Sequence, residues 1–257
     1  MSETALITGA SSGIGLELAK LFAQSGRNLI LVARSETKLE TFREQLVNEH
    51  KVHVEVIVAD LAEVDAAVSL VEEVNSRKLV VDILVNNAGF GELGKFAEIS
   101  LERQMNMVRL NVVTVVQLTR LLLPEMIKRK GGGILNVGST AAFQPGPNMA
   151  VYYATKAFVL SFTEALHEEL IDSNIKVVCL SPGPTETGFG EDSGMSATKV
   201  FTSNTMDSKS VAEAGLKAYE SNRSNIIPGF KNKVGAFLTR LVPRSLVRKL
   251  VKKLQST

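Results

Sequence analysis

Apolar residues along the chain fall into two alternating kinds of run. Short, near-continuous apolar stretches rich in β-branched residues occupy positions 5–8, 28–33, 53–58, 83–85, 134–137 and 176–180. Between them lie longer segments with apolar residues three and four apart, at 14–25, 36–49, 63–77, 101–130 and 149–172. The first kind predicts strands buried on both faces, and the second predicts the helices that cover them. Strand and helix alternating in this way predict an α/β fold, a doubly wound parallel sheet with helices on both faces. Right-handed crossovers then predict a Rossmann-like strand order of 3-2-1-4-5-6, with a seventh strand at the edge. No shift of composition divides the pattern, so residues 1–257 are expected to form a single domain.

Two stretches break the alternation. Residues 183–210 are rich in Gly, Ser, Thr and Asn and have little period. A long loop after a strand's carboxyl end predicts a substrate lid, placed at 188–210 with one short helix. Beyond Pro228 the chain turns helical and basic, ending in an amphipathic tail at 231–257.

Composition adds constraints. In 257 residues, 45% are hydrophobic and 22% charged, and Cys179 is the only cysteine. These values exclude a disordered chain and a disulfide scaffold. Cys179, between Val178 and Leu180, reads as core. The N-terminus has neither a basic leader nor a long apolar stretch, so a cytoplasmic protein from a reducing compartment is expected. The 29 basic and 27 acidic side chains nearly cancel, but their placement is uneven. Residues 221–257 hold nine basic residues and no acid, leaving 20 basic against 27 acidic in the first 220.

The chemistry begins at Thr8, where the sequence reads T-G-A-S-S-G-I-G between a strand and a helix. Gly9 permits the turn, Gly13 lets backbone approach a phosphate, and Gly15 permits close helix–sheet contact. Ser11, Ser12 and Ile14 complete the loop. Asn86-Asn87-Ala88-Gly89 follows the fourth strand, and Asn111 lies in the next helix. Ser139 follows the fifth strand, thirteen residues before Tyr152-x-x-x-Lys156. Pro182-Gly183 follows the sixth strand, with Thr185 and Thr187 just beyond.

In order and spacing these motifs resemble the short-chain dehydrogenase/reductase family over roughly residues 4–187. The resemblance implies a nicotinamide dinucleotide cofactor and a catalytic set of Asn111, Ser139, Tyr152 and Lys156. It also implies that Asp60 and Leu61 meet the adenine, although Asp60 reads equally as an ordinary helix N-cap. By the same resemblance, Asn87, Ala88, Gly89, Pro182, Gly183, Thr185 and Thr187 line the cofactor, with Thr187 at the carboxamide. The second strand ends in Arg34, where NAD enzymes of this fold place an acid against the ribose 2′-OH. A guanidinium there pairs with a 2′-phosphate, so NADP(H) is the expected cofactor, helped by Ser12.

Hydride transfer to a carbonyl makes an alkoxide, which needs a proton donor and a polariser. Lys156 lies one helical turn from Tyr152, placed to stabilise its phenolate, whereas Tyr153 has only Ala157 at that spacing. In the family this lysine also holds the nicotinamide ribose. The resemblance makes Ser139 the hydrogen-bond donor to the substrate oxygen and Asn111 part of a proton relay. His50, His53 and His167 have no acid at ligand or triad spacing, and no metal site is expected.

The expected activity is NADP(H)-dependent interconversion of a carbonyl and an alcohol on an apolar or lipid-like small molecule. The lid residues Phe189, Met195, Phe201 and Met206, and a likeness to acyl- and steroid-type reductases, point to that substrate class. Two other readings stand beside it: a catalytically silent NADP(H)-sensing scaffold, and an NAD-dependent hydroxysteroid or sugar-alcohol dehydrogenase. A homodimer or homotetramer is expected through the helices carrying Asn111 and Tyr152. In the tail, Leu246, Val247, Leu250, Val251 and Leu254 form one stripe among Arg244, Arg248, Lys249, Lys252 and Lys253. That stripe either packs on the body or a partner, lies on an anionic membrane surface, or covers an anionic substrate. Nucleic acid is not an expected partner, because the body is acidic and the basic stretch is poor in aromatics.

Overall fold

The structure, a computed structural model, describes residues 2–198, 201 and 205–255. Its first half alternates β1 (Thr4–Thr8), α1 (Gly13–Gln24), β2 (Asn28–Ala33), α2 (Glu36–His50), β3 (Val54–Val58), α3 (Ala66–Ser76) and β4 (Ile83–Asn86). The second half continues with α4 (Leu101–Val108), α5 (Thr114–Arg129), β5 (Gly133–Val137), α6 (Ala150–Glu169) and β6 (Lys176–Leu180). Short β7 (Thr185–Glu186), α7 (Phe189–Asp192) and β8 (Met206–Asp207) follow, then α8 (Ser208–Glu220) and β9 (Asn225–Ile226). The described chain ends in α9 (Phe230–Leu238) and α10 (Arg244–Leu254).

Seven parallel strands form one sheet in the order β3-β2-β1-β4-β5-β6-β9. The expected order holds, with its seventh place taken by Asn225–Ile226. The edge comes late because β7 and β8 pair with each other instead. Alternate residues of each strand feed opposite cores, which is why the strands read as continuous apolar runs. Ala5, Ile7, Leu29, Leu31, Val178 and Leu180 face one layer. Leu6, Ile30, Val32, Leu84, Ile134 and Val177 face the other.

Three departures from expectation bear on the site. The third helix starts at Ala66 rather than residue 63, because Asp60 Oδ1 accepts from Ala62 N (3.0 Å) and caps a turn there. Asp60 therefore does not cap that helix, whose own N-cap residue is Asp65. The segment expected as one helix over 101–130 contains a π-helical turn, Arg109–Val113, between α4 and α5. Such turns occur often at functional sites, and this one carries Asn111. Finally, the loop over 183–210 contains the β7–β8 pair as well as the expected short helix. Residues 199–200 and 202–204 of the expected lid, and 256–257 of the tail, lie outside the described residues.

The run Leu101–Arg129 is long and apolar enough, by length and composition, to cross a membrane. It packs here against the sheet through Leu118, Leu122 and Met126. Its polar residues are also used internally: Thr114 Oγ1 donates to Leu61 O (2.8 Å), and Thr119 Oγ1 accepts from Asn86 Nδ2 (3.4 Å).

Candidate active site

The loop from β1 into α1 must turn sharply, and its glycines carry the turn. Gly9 (φ +66°) and Gly13 (φ +55°) take left-handed conformations that a side chain would strain. A Cβ on Gly13 would stand 2.8 Å from Thr187 Cγ2. One on Gly15 would collide with the Gly9 carbonyl and the Asn87 amide. The tight contact at Gly15 is thus with the neighbouring loops, rather than with a strand face.

Thr8 fastens those loops together. Its hydroxyl donates to Val85 O (3.2 Å) and accepts from the backbone N–H groups of Asn87 and Ala88 (3.0 Å each). Asn87 Nδ2 donates back to the carbonyls of Thr8 (2.9 Å) and Gly9 (3.2 Å). The side chain of Ser12, at the N-cap of α1, makes no cap bond. The first-turn N–H groups are therefore left without a side-chain acceptor, which suits an anion. Arg34 lies at the rim, largely exposed, with Nη1 3.9 Å from Asp60 Oδ2. Lys38, in the first turn of α2, lines the same end beside Ser12 and Ser35.

The chemical end is built on α6. Tyr152 and Lys156 are buried there, and Lys156 Nζ sits 5.8 Å from the Tyr152 ring centroid. The ammonium donates to Val137 O (2.8 Å) at the end of β5. Burial pulls the Lys156 amine down to about 8, against a smaller opposing effect of Cys179. Burial pushes the Tyr152 phenol well above its usual range, while a hydrogen bond with Ser139 works the other way. Ser139 Oγ also accepts from Ala141 N (3.1 Å), which fixes it at the start of a 3-10 turn.

Asn111 stands behind this group and clamps it. Its Oδ1 accepts from Phe90 N (3.2 Å), and its Nδ2 donates to Phe90 O (2.9 Å) and Thr155 Oγ1 (3.1 Å). Thr155 in turn donates to Tyr152 O (2.7 Å), so the π-helical turn is tied to the backbone of the tyrosine. A Cβ on Gly89 would lie 3.0 Å from Asn111 Oδ1 and 3.5 Å from Lys156 Nζ, so glycine lets these groups converge.

Both ends open into one cavity of about 810 Å³. Every residue singled out from the sequence for catalysis or cofactor binding lines it, except Gly15 and Asn111, which support it from behind. Phe189, Met195 and Phe201 line it too, with Phe189 5.3 Å from the Tyr152 ring. Met206 does not; it packs on the sheet core beneath α8. Cys179 is fully buried in β6. Among the described residues no group of three or more His, Cys, Asp or Glu could hold a metal.

Several positions escaped the sequence reading. Lys38 lies four residues after Arg34, but Arg34 precedes α2, so no helical period joins the two and only the path of α2 brings Lys38 to the cavity. Thr8 was visible in the motif, but its bridging role depends on β4 lying beside β1. Tyr153 is the larger surprise. Its hydroxyl accepts from Gln255 Nε2 (2.7 Å), joining α6 to the chain just past α10. Val251 and Leu254 of α10 reach the cavity, making the basic tail one of its walls.

Known proteins share this sequence pattern and this fold. The short chain dehydrogenase family matches the chain over residues 3–196. A ketoacyl reductase, HetN, from Nostoc sp. is 32% identical over 244 residues, covering 93% of this chain and 83% of that protein. A short-chain dehydrogenase from Sphingobium yanoikuyae, solved with NADPH, superposes with a TM-score of 0.82 at 30% identity, covering 95% and 97% of the two chains. A bulky-bulky ketone specific alcohol dehydrogenase from Comamonas testosteroni gives a TM-score of 0.79 at 30% identity, covering 93% and 92%. With its motifs assembled around one cavity on this sheet, the chain belongs to the short-chain dehydrogenase family and is an oxidoreductase of the Rossmann-like fold.

Proposed function

We propose that the protein is an NADP(H)-dependent oxidoreductase that interconverts a carbonyl and an alcohol on an apolar or lipid-like substrate. The observation that carries this reading is the meeting of Ser139, Tyr152 and Lys156 in one cavity whose other end holds Arg34 and Lys38. The residues present fit a dinucleotide phosphate: Gly9, Ser11, Ser12 and Gly13 line the cavity at the start of α1, whose first turn has no side-chain cap. NADP(H), when bound, supplies or accepts the hydride.

The chain's own residues do the rest. Ser139 donates a hydrogen bond to the substrate oxygen and holds it beside Tyr152. The Tyr152 phenol, kept protonated by burial, delivers a proton to that oxygen in reduction and takes it back in oxidation. Lys156 supplies the cation of the site, and Asn111 positions Tyr152 through Thr155. Arg34 and Lys38 give the 2′-phosphate two cationic partners, which favours NADP(H) over NAD(H). Phe189, Met195 and Phe201 form an apolar lid over the substrate end. Relatives that reduce ketoacyl groups or bulky ketones support the carbonyl class. A single cytoplasmic domain, assembled as a homodimer or homotetramer through α4, α5 and α6, completes the reading.

NADPH oxidation over a panel of apolar ketones and ketoacyl thioesters tests it. Tyr152→Phe is expected to lower kcat by about 10²–10⁴ while NADPH affinity changes little. Turnover of no carbonyl by the wild type, with NADPH still bound, would leave a sensing scaffold as the better account.

A further inference from the structure

The last two helices have their apolar sides divided between the body and solvent. On α10, Val247 and Val251 are buried against Tyr152, Tyr153 and Met195, while Leu246 (55% exposed) and Leu250 (59%) face water. On α9, Phe230, Val234, Phe237 and Leu238 fall at i, i+4, i+7 and i+8, one apolar stripe, and all four are exposed. Large apolar side chains bared along one stretch mark an interaction surface. The same stretch contains only basic charges: nine Lys and Arg and no acid over 221–257. Arg244, Arg248, Lys249 and Lys252 form no ion pair among the described residues.

We propose that α9 and α10 form a docking surface for an anionic lipid bilayer. Exposed leucine and phenylalanine enter the headgroup–acyl boundary, and the surrounding lysine and arginine pair with lipid phosphates and carboxylates. A second copy of this chain is a poorer occupant, since a two-fold contact through this face would set two wholly basic stretches against each other. The charge division also orients the molecule. The first 220 residues carry 20 basic against 27 acidic side chains, so an anionic surface repels the body and attracts the tail. Because the inner face of α10 walls the cavity, docking brings the substrate end close to the lipid. The surface itself stands whether or not the catalytic reading does.

Sedimentation with vesicles tests the proposal, using the full-length protein. Phosphatidylcholine vesicles containing about 30% phosphatidylserine are compared with pure phosphatidylcholine, at low and high salt. Expected is at least about ten-fold stronger binding to the anionic vesicles, weakened by salt. Leu246→Glu/Leu250→Glu, exposed and outside the site, is expected to lose about ten-fold or more of that binding with NADPH affinity unchanged. Lys249→Glu/Lys252→Glu is expected to do the same, and serves if the first variant misfolds. Equal binding to both vesicle types, no binding, or wild-type binding by the folded variants overturns the proposal. So does an oligomer that either variant dissolves while vesicle binding is absent, for then a second copy covers this face.

Discussion

At the scale of single residues, the site sets charge against burial. Lys156 lies in an apolar interior that pulls its amine down to about 8, so its cationic form is held below that value and lost above it. If carbonyl reduction uses the cation, its rate is expected to fall as pH rises through about 8, although an exposed lysine would hold its charge to about 10.4. Lys156→Arg, which stays charged, is expected to remove that alkaline limb from the pH–rate profile even if the rate itself drops. A profile flat through pH 9 in the wild type would exclude the lysine cation from the rate-determining step. At the other end, the proposed 2′-phosphate site has two basic residues, Arg34 and Lys38. Arg34→Ala and Lys38→Ala are each expected to weaken NADPH about ten-fold and NADH little, measured by fluorescence titration. Arg34 was legible in the sequence because it ends a strand where the fold meets a ribose. Lys38 was not, because its side chain joins the site only through the path of α2.

At the scale of elements, α6 is shared between chemistry and assembly. Its Tyr152 faces the cavity, and its Tyr153 receives the tail through Gln255, whose Oε1 is buried with no partner among the described residues. Tyr153→Phe would remove the side-chain bond that the Gln255 amide makes to α6. Such a loss costs about 1–3 kcal/mol, and it falls on the docking of α10. The expected outcome is an earlier thermal transition, faster amide exchange in 244–255, and a raised KM with kcat less affected. Unchanged exchange there would mean that apolar contacts of Val247 and Val251 hold the helix unaided. In the sequence Tyr153 stood as a partnerless neighbour of Tyr152, since nothing local connects positions 153 and 255. The π-helical turn was hidden for a similar reason: it depends on how Asn111 bonds to Phe90 and Thr155, not on the apolar period around it.

At the scale of the whole molecule, two exposed apolar faces stand out among the described residues. One is the all-basic surface of α9 and α10. The other is a groove between α4, the π-helical turn and α6, lined by Phe96, Val108, Val112 and Val151, with Met105 and Phe158 exposed beside it. This second face is where a homodimer is expected. Met105→Glu/Phe158→Glu is expected to weaken dimerisation by at least about ten-fold in analytical ultracentrifugation, without loss of NADPH binding. A wild type that sediments as a monomer would remove the assembly reading altogether.

The chain's local order was enough to specify the sheet, its crossovers and most of the residues that line the cavity. Alternating burial and crossover handedness are consequences of short-range sterics and period, and the motifs sit at strand ends that those rules locate. Tertiary structure decided which distant groups complete the site: Thr8 across to β4, Asn111 behind Tyr152, Lys38 beside Arg34, and the tail over the cavity. It also decided that the tail's apolar stripe is split, half of it closing the cavity and half facing water. A helical period states only that one side is apolar. What that side meets is determined by the surface the rest of the chain presents to it.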